Sequence, residues 1–247
     1  MINDVSFNVS YGDLISIIGP NGSGKSTLIK LISGQLIPSK GSVKINDKNL
    51  DKWDLISLAK IRSILSQSHN LSFPFKVIDI VRMGRSPFKG ENSNKNHEIC
   101  KILIKKFDLE NYINRNYITL SGGEKQRVHL ARVIAQIWSY NNFKNKLLIL
   151  DEPTSFLDIK HQCFLFQFLK QLNKKGLSII LVLHDLNQAL DISNKILMLK
   201  DSNLIHYSSK NDCINKKKIK MVFDVDLDII KDNKLNKNFI TFKSKGK

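Results

Sequence analysis

The chain has 247 residues, 42% of them hydrophobic, enough for a sizeable core in one or two domains. Its longest apolar runs, residues 147–150 and 179–183, fall far short of the roughly 18 residues that a membrane span needs. The net charge of +17 admits a nucleic-acid or anionic-lipid partner, but the six arginines form no run and no basic–aromatic stripe accompanies them, which favours a lysine-rich surface with no nucleic-acid site.

In chain order, Val5, Phe7 and Val9 alternate as a short strand, and Tyr11-Gly12-Asp13 makes a turn. Ile15, Ile17 and Ile18 read as a buried strand. It runs into Gly19-Pro20-Asn21-Gly22-Ser23-Gly24-Lys25-Ser26-Thr27, a G-x-x-x-x-G-K-[ST] loop, and Leu28, Ile29, Leu31 and Ile32 continue as a helix that stops at Gly34. A glycine-rich turn that merely precedes a helix is the bland alternative. Lys-Ser in register, with a strand before and a helix behind, argues for a phosphate cradle. Backbone N–H groups turn inward on phosphate oxygens, and the helix N-terminus adds partial positive charge. Lys25 is placed to reach β- and γ-phosphates, and Ser26 to offer its hydroxyl to Mg²⁺.

Next come a turn at residues 38–41, a strand through Val43 and Ile45, a hairpin turn at Asn46-Asp47-Lys48, and a strand from Ile61 to Gln67. From Phe75 to about Tyr140 the apolar period is helical: Val77, Ile80 and Val81 mark one helix. Ile99, Ile102, Leu103 and Phe107 mark a second, and Val128 to Trp138 a third, with a polar loop over residues 90–96. The all-apolar runs 147–150 and 179–183 suit a parallel sheet covered on both faces. Beyond Asn203 the chain is polar and lysine-rich. Lys216, Lys217, Lys218 and Lys220 read as a solvated helix end rather than a lipid or nucleic-acid contact, and Val222, Phe223, Val225 and Leu227 as a patch that packs on the core. Cys100, Cys163 and Cys213 make no C-x-x-C pair and no metal-ligand spacing, and no signal-peptide pattern opens the sequence. Both point to a reducing cytosolic setting.

Two further stretches carry chemistry. Residues 147–150 end in Asp151-Glu152: an acid at a strand tip can hold Mg²⁺ beside phosphates, and the next can orient or deprotonate an attacking water. Leu120-Ser121-Gly122-Gly123-Glu124-Lys125-Gln126-Arg127 opens a helix with a hydroxyl and two glycines, a second anion site. Because one loop already cradles a triphosphate, the second site is best assigned to the nucleotide of a second copy, with two ATP molecules held at a two-fold interface.

These motifs resemble the nucleotide-binding subunit of ATP-binding cassette transporters. The matches are the loop at 19–27, the signature at 120–126, Asp151-Glu152-Pro153-Thr154, Ser155-Phe156-Leu157-Asp158, His184 after residues 179–183, and Gln67 at its strand end. Glu124 stands where glutamine is commoner. The resemblance implies an α/β P-loop NTPase cassette with a RecA-like core and a small antiparallel β subdomain over residues 1–75 and 141–205. It also implies an inserted helical subdomain over 76–140 and a C-terminal extension over 206–247. It implies that Ser121, Gly122 and Gly123 meet the γ-phosphate held by the partner, that Asp158 couples the two sites, and that Gln67 senses Mg²⁺ with Ser26 and Asp151. His184 holds Glu152 and the water in line. The implied partners are a second copy, a membrane permease dimer met through the helical insert at the inner face of the cytoplasmic membrane, and indirectly an extracytoplasmic binding protein.

Residues 66–75, 83–87 and 128–138, with Leu183-His184-Asp185-Leu186-Asn187, are similar to importers of iron complexes and vitamin B12, nearest to haemin importers. Phe73-Pro74-Phe75 lies where such subunits dock the permease. Ferric siderophore or B12 cargo remains the alternative, as does a soluble ATPase of this fold acting on nucleic acid or ribosomes, or a subunit that does not hydrolyse. Family members carry about twenty more residues ahead of Met1, with a strand and an adenine-stacking aromatic. Neither Tyr11 nor Phe7 fits that role, so the expectation is a start further upstream or a degraded copy.

Overall fold

In a computed structural model of the chain, described for residues 2–67, 71, 73–213, 215–232, 234 and 237–242, the first strand and helix lie where the sequence puts them. β1 (Leu14–Ile18) is buried along its whole length, and α1 (Lys25–Ile32) ends at Ser33 before the left-handed Gly34. A short hairpin follows, β2 (Lys44–Ile45) with β3 (Lys48–Asn49). Its Asn46 and Asp47 both have positive φ, 49° and 60°, the turn geometry that matches strand twist. α2 (Leu55–Ile61), capped by the Asp54 carboxylate accepting the Ser57 N–H, leads into β4 (Arg62–Leu65). Three helices then intervene: α3 (Val77–Met83), α4 (Ser93–Lys106) and α5 (Gly122–Ile137). The chain returns through β5 (Leu147–Asp151), α6 (Ile159–Lys174), β6 (Ser178–Val182), α7 (Leu186–Ile192), β7 (Lys195–Lys200) and β8 (Asn203–Ser209). It continues with α8 (Lys210–Cys213), α9 (Lys216–Phe223), β9 (Leu227–Asp232) and β10 (Lys237–Phe242).

One six-stranded sheet, in the order β4-β5-β6-β1-β7-β8, organises the molecule. The first five strands are parallel and β8 is antiparallel to β7. Because side chains alternate along a strand, each apolar run divides between two faces. Ile15, Ile17, Ile149, Ile180, Val182, Leu197 and Leu199 join Leu28, Ile29 and Ile32 of α1 on one face. Leu14, Ile18, Leu148, Leu150, Ile179, Leu181, Ile196 and Met198 meet the remaining helices on the other. Phe107, at the end of α4, is fully buried and packs edge-on against Phe164 and Phe168 of α6 at 5.5 and 5.9 Å. It ties the end of α4 to α6. No helix among the described residues is long and apolar enough to cross a membrane.

Several expectations need correction. Residues 4–10 form no strand; one bridge, Asn3 to Asn203, is all that pairs there, and Val5 and Phe7 are held by packing against the α1 face instead. Ile61 closes α2, so the strand begins at Arg62, and it ends at Leu65, short of Gln67. The polar loop ends at Asn92, whose side-chain Oδ1 accepts the N–H groups of Asn94 and Lys95 and so starts α4 inside the stretch expected to be irregular. Lys216–Lys218 form the N-terminal end of α9, the solvated helix end expected of them, and Lys216 and Lys220 pair with Asp228 and Asp226. Val222 and Leu227 pack on the core as expected, while Val225 is exposed. Ser68, His69, Asn70 and Ser72 of the cargo-related stretch lie outside the described residues.

Burial of the Lys146 ammonium, which donates to the Ile137 carbonyl at 2.9 Å, pushes its pKa down to about 8. A lysine whose folded pKa lies below its unfolded value costs stability while both states are charged, and that cost fades as pH rises from about 8 towards 10.5. Lys146→Met, which keeps the stem, is therefore expected to gain more stability over the parent at pH 7 than at pH 10. Urea unfolding at the two pH values measures it.

Candidate functional site

The parallel strands deliver the chemistry to one edge. β1, β5 and β6 run the same way in register, with Ile17 and Leu150 each beside β6 partners Val182 and Leu181, so residues 19–25, Asp151-Glu152 and His184 emerge together at the strands' C-terminal ends. Gln67, exposed, lies two residues past Leu65, the register partner of Leu150, and so stands at the same edge.

The loop from Gly19 to Gly24 is a tight cradle. A Cβ on Gly19 would lie 2.2 Å from the Leu199 carbonyl oxygen, so only glycine brings the chain this close to β7. Lys25 is buried at the start of α1 and its ammonium donates to the Gly19 and Pro20 carbonyls at 2.8 and 2.9 Å. Those two bonds hold the loop around the cation. Ser23 Oγ is buried with no hydrogen-bond partner, and the Ser26 hydroxyl, on the first turn, is exposed; Asn21 and Gly22 are exposed at the rim and Thr27 is half-buried. An orphaned hydroxyl, a caged ammonium and bare helix N–H groups together fit a phosphate group.

Two acids face this cradle. Burial, with the Glu152 charge next to it, raises the Asp151 carboxyl to about 6, and Lys25 pulls the other way. Burial lowers the Lys25 ammonium while Glu152 and Asp151 oppose that. Three charges are thus gathered in a partly dry place, the arrangement expected where a divalent cation and phosphates are to be received. Ser26 and Asp151 could offer a divalent cation such as Mg²⁺ the hard oxygen donors it takes, and Gln67 could offer a third at the same edge. Glu152 carries a left-handed backbone, φ 49°, a conformation costing on the order of 1 kcal/mol outside glycine. Its carboxylate meets His184 Nε2 at 2.6 Å. The next residue, Asp185, accepts the N–H groups of Asn187 and Gln188 and so caps α7, fixing the turn that aims His184.

The signature residues assemble elsewhere. Ser121 caps α5 in a reciprocal box, its hydroxyl accepting the Glu124 N–H and the Glu124 carboxylate accepting the Ser121 N–H at 2.8 Å. This gives Glu124 a defined role. Ser121, Gly123, Phe156 and Asp158 line a shallow cavity of about 360 Å³. Gly122 packs beneath the Phe156 ring, and a Cβ on Gly123 would stand 2.8 Å from the Phe156 carbonyl oxygen. Asp158 caps α6 by accepting the His161 N–H at 2.8 Å, which holds its carboxyl below the ordinary range, and its oxygen also meets His161 Nδ1. The two places are joined by the loop between them: Gln126 of α5 donates to the Pro153 carbonyl at 3.0 Å.

Sequence reading missed the residues that set angles rather than carry charge. Asp185, directly after His184 and ahead of an apolar-periodic segment, is a capping pattern that was there to be read. Gln162, which donates to the Leu157 carbonyl at 2.9 Å and accepts from Gln188, left no local signal. The cradle's tightest point makes a direct test. Gly19→Ala is expected to cost about 1–3 kcal/mol, because β7 or the loop must shift; urea unfolding measures it.

The comparisons with known proteins agree with this geometry. The ABC transporter family model matches residues 2–155. The hemin import ATP-binding protein HmuV of Escherichia coli O157:H7 is 36% identical over 233 residues, 94% of this chain and 90% of that protein. Its namesake from Rhodopseudomonas palustris strain BisB5 is 38% identical, over 94% and 88%. Among solved structures, the dimeric structure of a bacterial ABC transporter cassette superposes with a TM-score of 0.72 at 29% identity, over 85% of this chain and 90% of that one. The same cassette solved bound to ADP and Pi gives the same score at 28% identity. With the cradle, the acidic strand end, the switch histidine and the capped signature helix in place, the chain belongs to the ABC transporter family as one of its ATP-binding, ATP-hydrolysing cassettes.

Proposed function

We propose that this chain is the motor subunit of an importer that takes up haemin, working as a homodimer on the cytoplasmic face of the inner membrane. The observation that carries the motor reading is the 2.6 Å contact between Glu152 and His184 beside the caged Lys25. The cargo reading rests on the relatives named for hemin import.

The residues divide the work as follows. Residues 19–25 wrap the triphosphate, and Lys25 exchanges its two loop carbonyls for β- and γ-phosphate oxygens. Ser26, Asp151 and Gln67 would hold Mg²⁺, which would supply positive charge against the phosphates. Glu152 orients and deprotonates the attacking water, and His184 keeps that carboxylate in line. Ser121, Gly122 and Gly123 of the second copy present the capped end of α5 to the γ-phosphate, and Asp158 joins the two sites. Nucleotide favours the closed dimer because it touches both halves only there. The cavity of about 520 Å³ lined by Pro74, Phe75, Ile78 and Arg82, with Phe73 70% exposed beside it, is the place for the permease on this reading, within the helical insert of residues 76–140. Through that permease the chain serves an extracytoplasmic binding protein.

The test compares the parent with Glu152→Gln in cells that hold the permease and the binding protein. Haem accumulation is expected with the parent and none with the variant, while purified Glu152→Gln keeps ATP and forms a stable dimer. Lys25→Ala should instead weaken ATP binding itself. Parental hydrolysis by Glu152→Gln would remove the assigned base. Hydrolysis by the parent without haem uptake would keep the motor and move the cargo to ferric siderophores or B12.

A further inference from the structure

The first turn of α7 is fastened from two directions. On one, Gln188 Nε2 donates to Gln162 Oε1 at 3.2 Å, and Gln162 donates to the Leu157 carbonyl in the loop that follows Glu152. On the other, the Asn187 side chain reaches the C-terminal hairpin. Its amide donates to the Ile240 carbonyl at 3.0 Å and its oxygen accepts the Ile240 N–H at 2.8 Å. In an antiparallel pair, alternate residues turn both backbone groups away from the neighbouring strand. Ile240 is such a residue of β10, and one primary amide satisfies both of its outward groups, as a further strand would.

The hairpin is itself anchored. Leu227 and Ile240 are buried in the main core, Ile229 packs against it, and Lys216 of α9 pairs with Asp228. Asn187 lies three residues beyond His184, and its own N–H is held by the Asp185 cap. On the sheet side the turn is fixed by the Leu183 N–H donating to the Ile17 carbonyl at 3.2 Å. The His184 backbone therefore hangs between β1 on one side and the side-chain bonds of Gln188 and Asn187 on the other, and Asn187 alone of these two ties it to the C-terminal hairpin.

We propose that Asn187 is a positioning residue for ATP hydrolysis: through its paired bonds to Ile240 the C-terminal hairpin holds the α7 turn, and so keeps His184 directed at Glu152. The inference rests on the reading of Glu152 and His184 as the water-orienting pair. It gives the residues beyond 226 a part in turnover although they lie outside the matched family segment of residues 2–155.

The experiment measures steady-state ATP hydrolysis by the full chain carrying Asn187→Leu, Ile240→Pro, both together, and Asn187→Leu on a His184→Ala background. Each single change is expected to lower kcat about tenfold with KM for ATP held within about twofold, because alignment and not nucleotide binding is lost. The double variant should be no slower than the slower single one, since both remove the same contact. On the His184→Ala background, Asn187→Leu should change the remaining rate less than about twofold. Asn187→Asp keeps the acceptor for the Ile240 N–H and sets a second oxygen against the Ile240 carbonyl. It should fall between parent and Asn187→Leu, and serves if the proline variant does not fold. Parental kcat in folded Asn187→Leu, or an equal fold-loss with and without His184, overturns the clamp. Parental hydrolysis by His184→Ala overturns instead the reading of the site on which it rests.

Discussion

The site depends on strand direction. Three parallel strands, β1, β5 and β6, share a register that brings Gly19, Asp151 and His184 to one edge from positions as far apart in sequence as 19 and 184. Had any of the three run antiparallel, its functional residue would sit at the opposite end of the sheet, about five residues or 17 Å away. Parallel pairing demands crossovers, and crossovers demand that both sheet faces be covered. The burial of every residue in β1 and β6 is thus the condition under which Gly19, Asp151 and His184 can meet.

What meets at that edge is held by short-range geometry against electrostatic cost. Asp151 and Glu152 are adjacent like charges, and burial makes Asp151 still harder to ionise, which is why its carboxyl rises to about 6. Lys25 pulls the Asp151 carboxyl down but is outweighed by that carboxyl's burial and by the Glu152 charge. A divalent cation beside Asp151 would relieve the pair fully. The protein thus stores an unfavourable arrangement at the cradle and offsets it elsewhere, through the large apolar faces of the sheet.

The sequence made the charged parts of this arrangement legible. The phosphate loop, the two acids, the switch histidine and the signature helix each combine a residue type with a period or a turn that few other structures need, and each stands where the reading put it. The extended runs 147–150 and 179–183 could be read as parallel strands because they are apolar on both faces. Less legible were elements whose pattern is set by distant partners. Val5, Phe7 and Val9 alternate like a strand, yet they form none: Val5 and Phe7 pack against the core face that α1 covers, Phe7 edge-on to Tyr207 of β8, and Val9 is exposed. The β9–β10 hairpin carries Ile230 and Phe239 exposed on its outer side, so its apolar pattern does not single out one face, and only the contacts of Leu227, Ile229 and Ile240 with the core reveal it. The sheet-edge bond from Asn187 is invisible in principle, since it joins residues 53 apart through backbone groups that carry no residue identity.

The segment from Glu152 to Asp158 is where the two halves of the site are made to depend on each other. It begins with the carboxylate that faces His184, continues through the Pro153 carbonyl that Gln126 of the signature helix grips, and passes Phe156 beneath Gly122 and Gly123. It ends at the cap of α6. Seven residues therefore contact two helices and the turn ahead of a third, and two of the seven, Glu152 and Phe156, are held in left-handed backbone at φ 49° and 66°. Such strain, on the order of 1–3 kcal/mol each, survives only where surrounding contacts over-determine the path. The glycines of the signature are then explained twice. They leave α5's first N–H groups open to an anion, and they let the Phe156 backbone lie against the helix. A displacement of α5 large enough to admit or release a ligand must move the Phe156 carbonyl, and through the same short loop it must move Glu152.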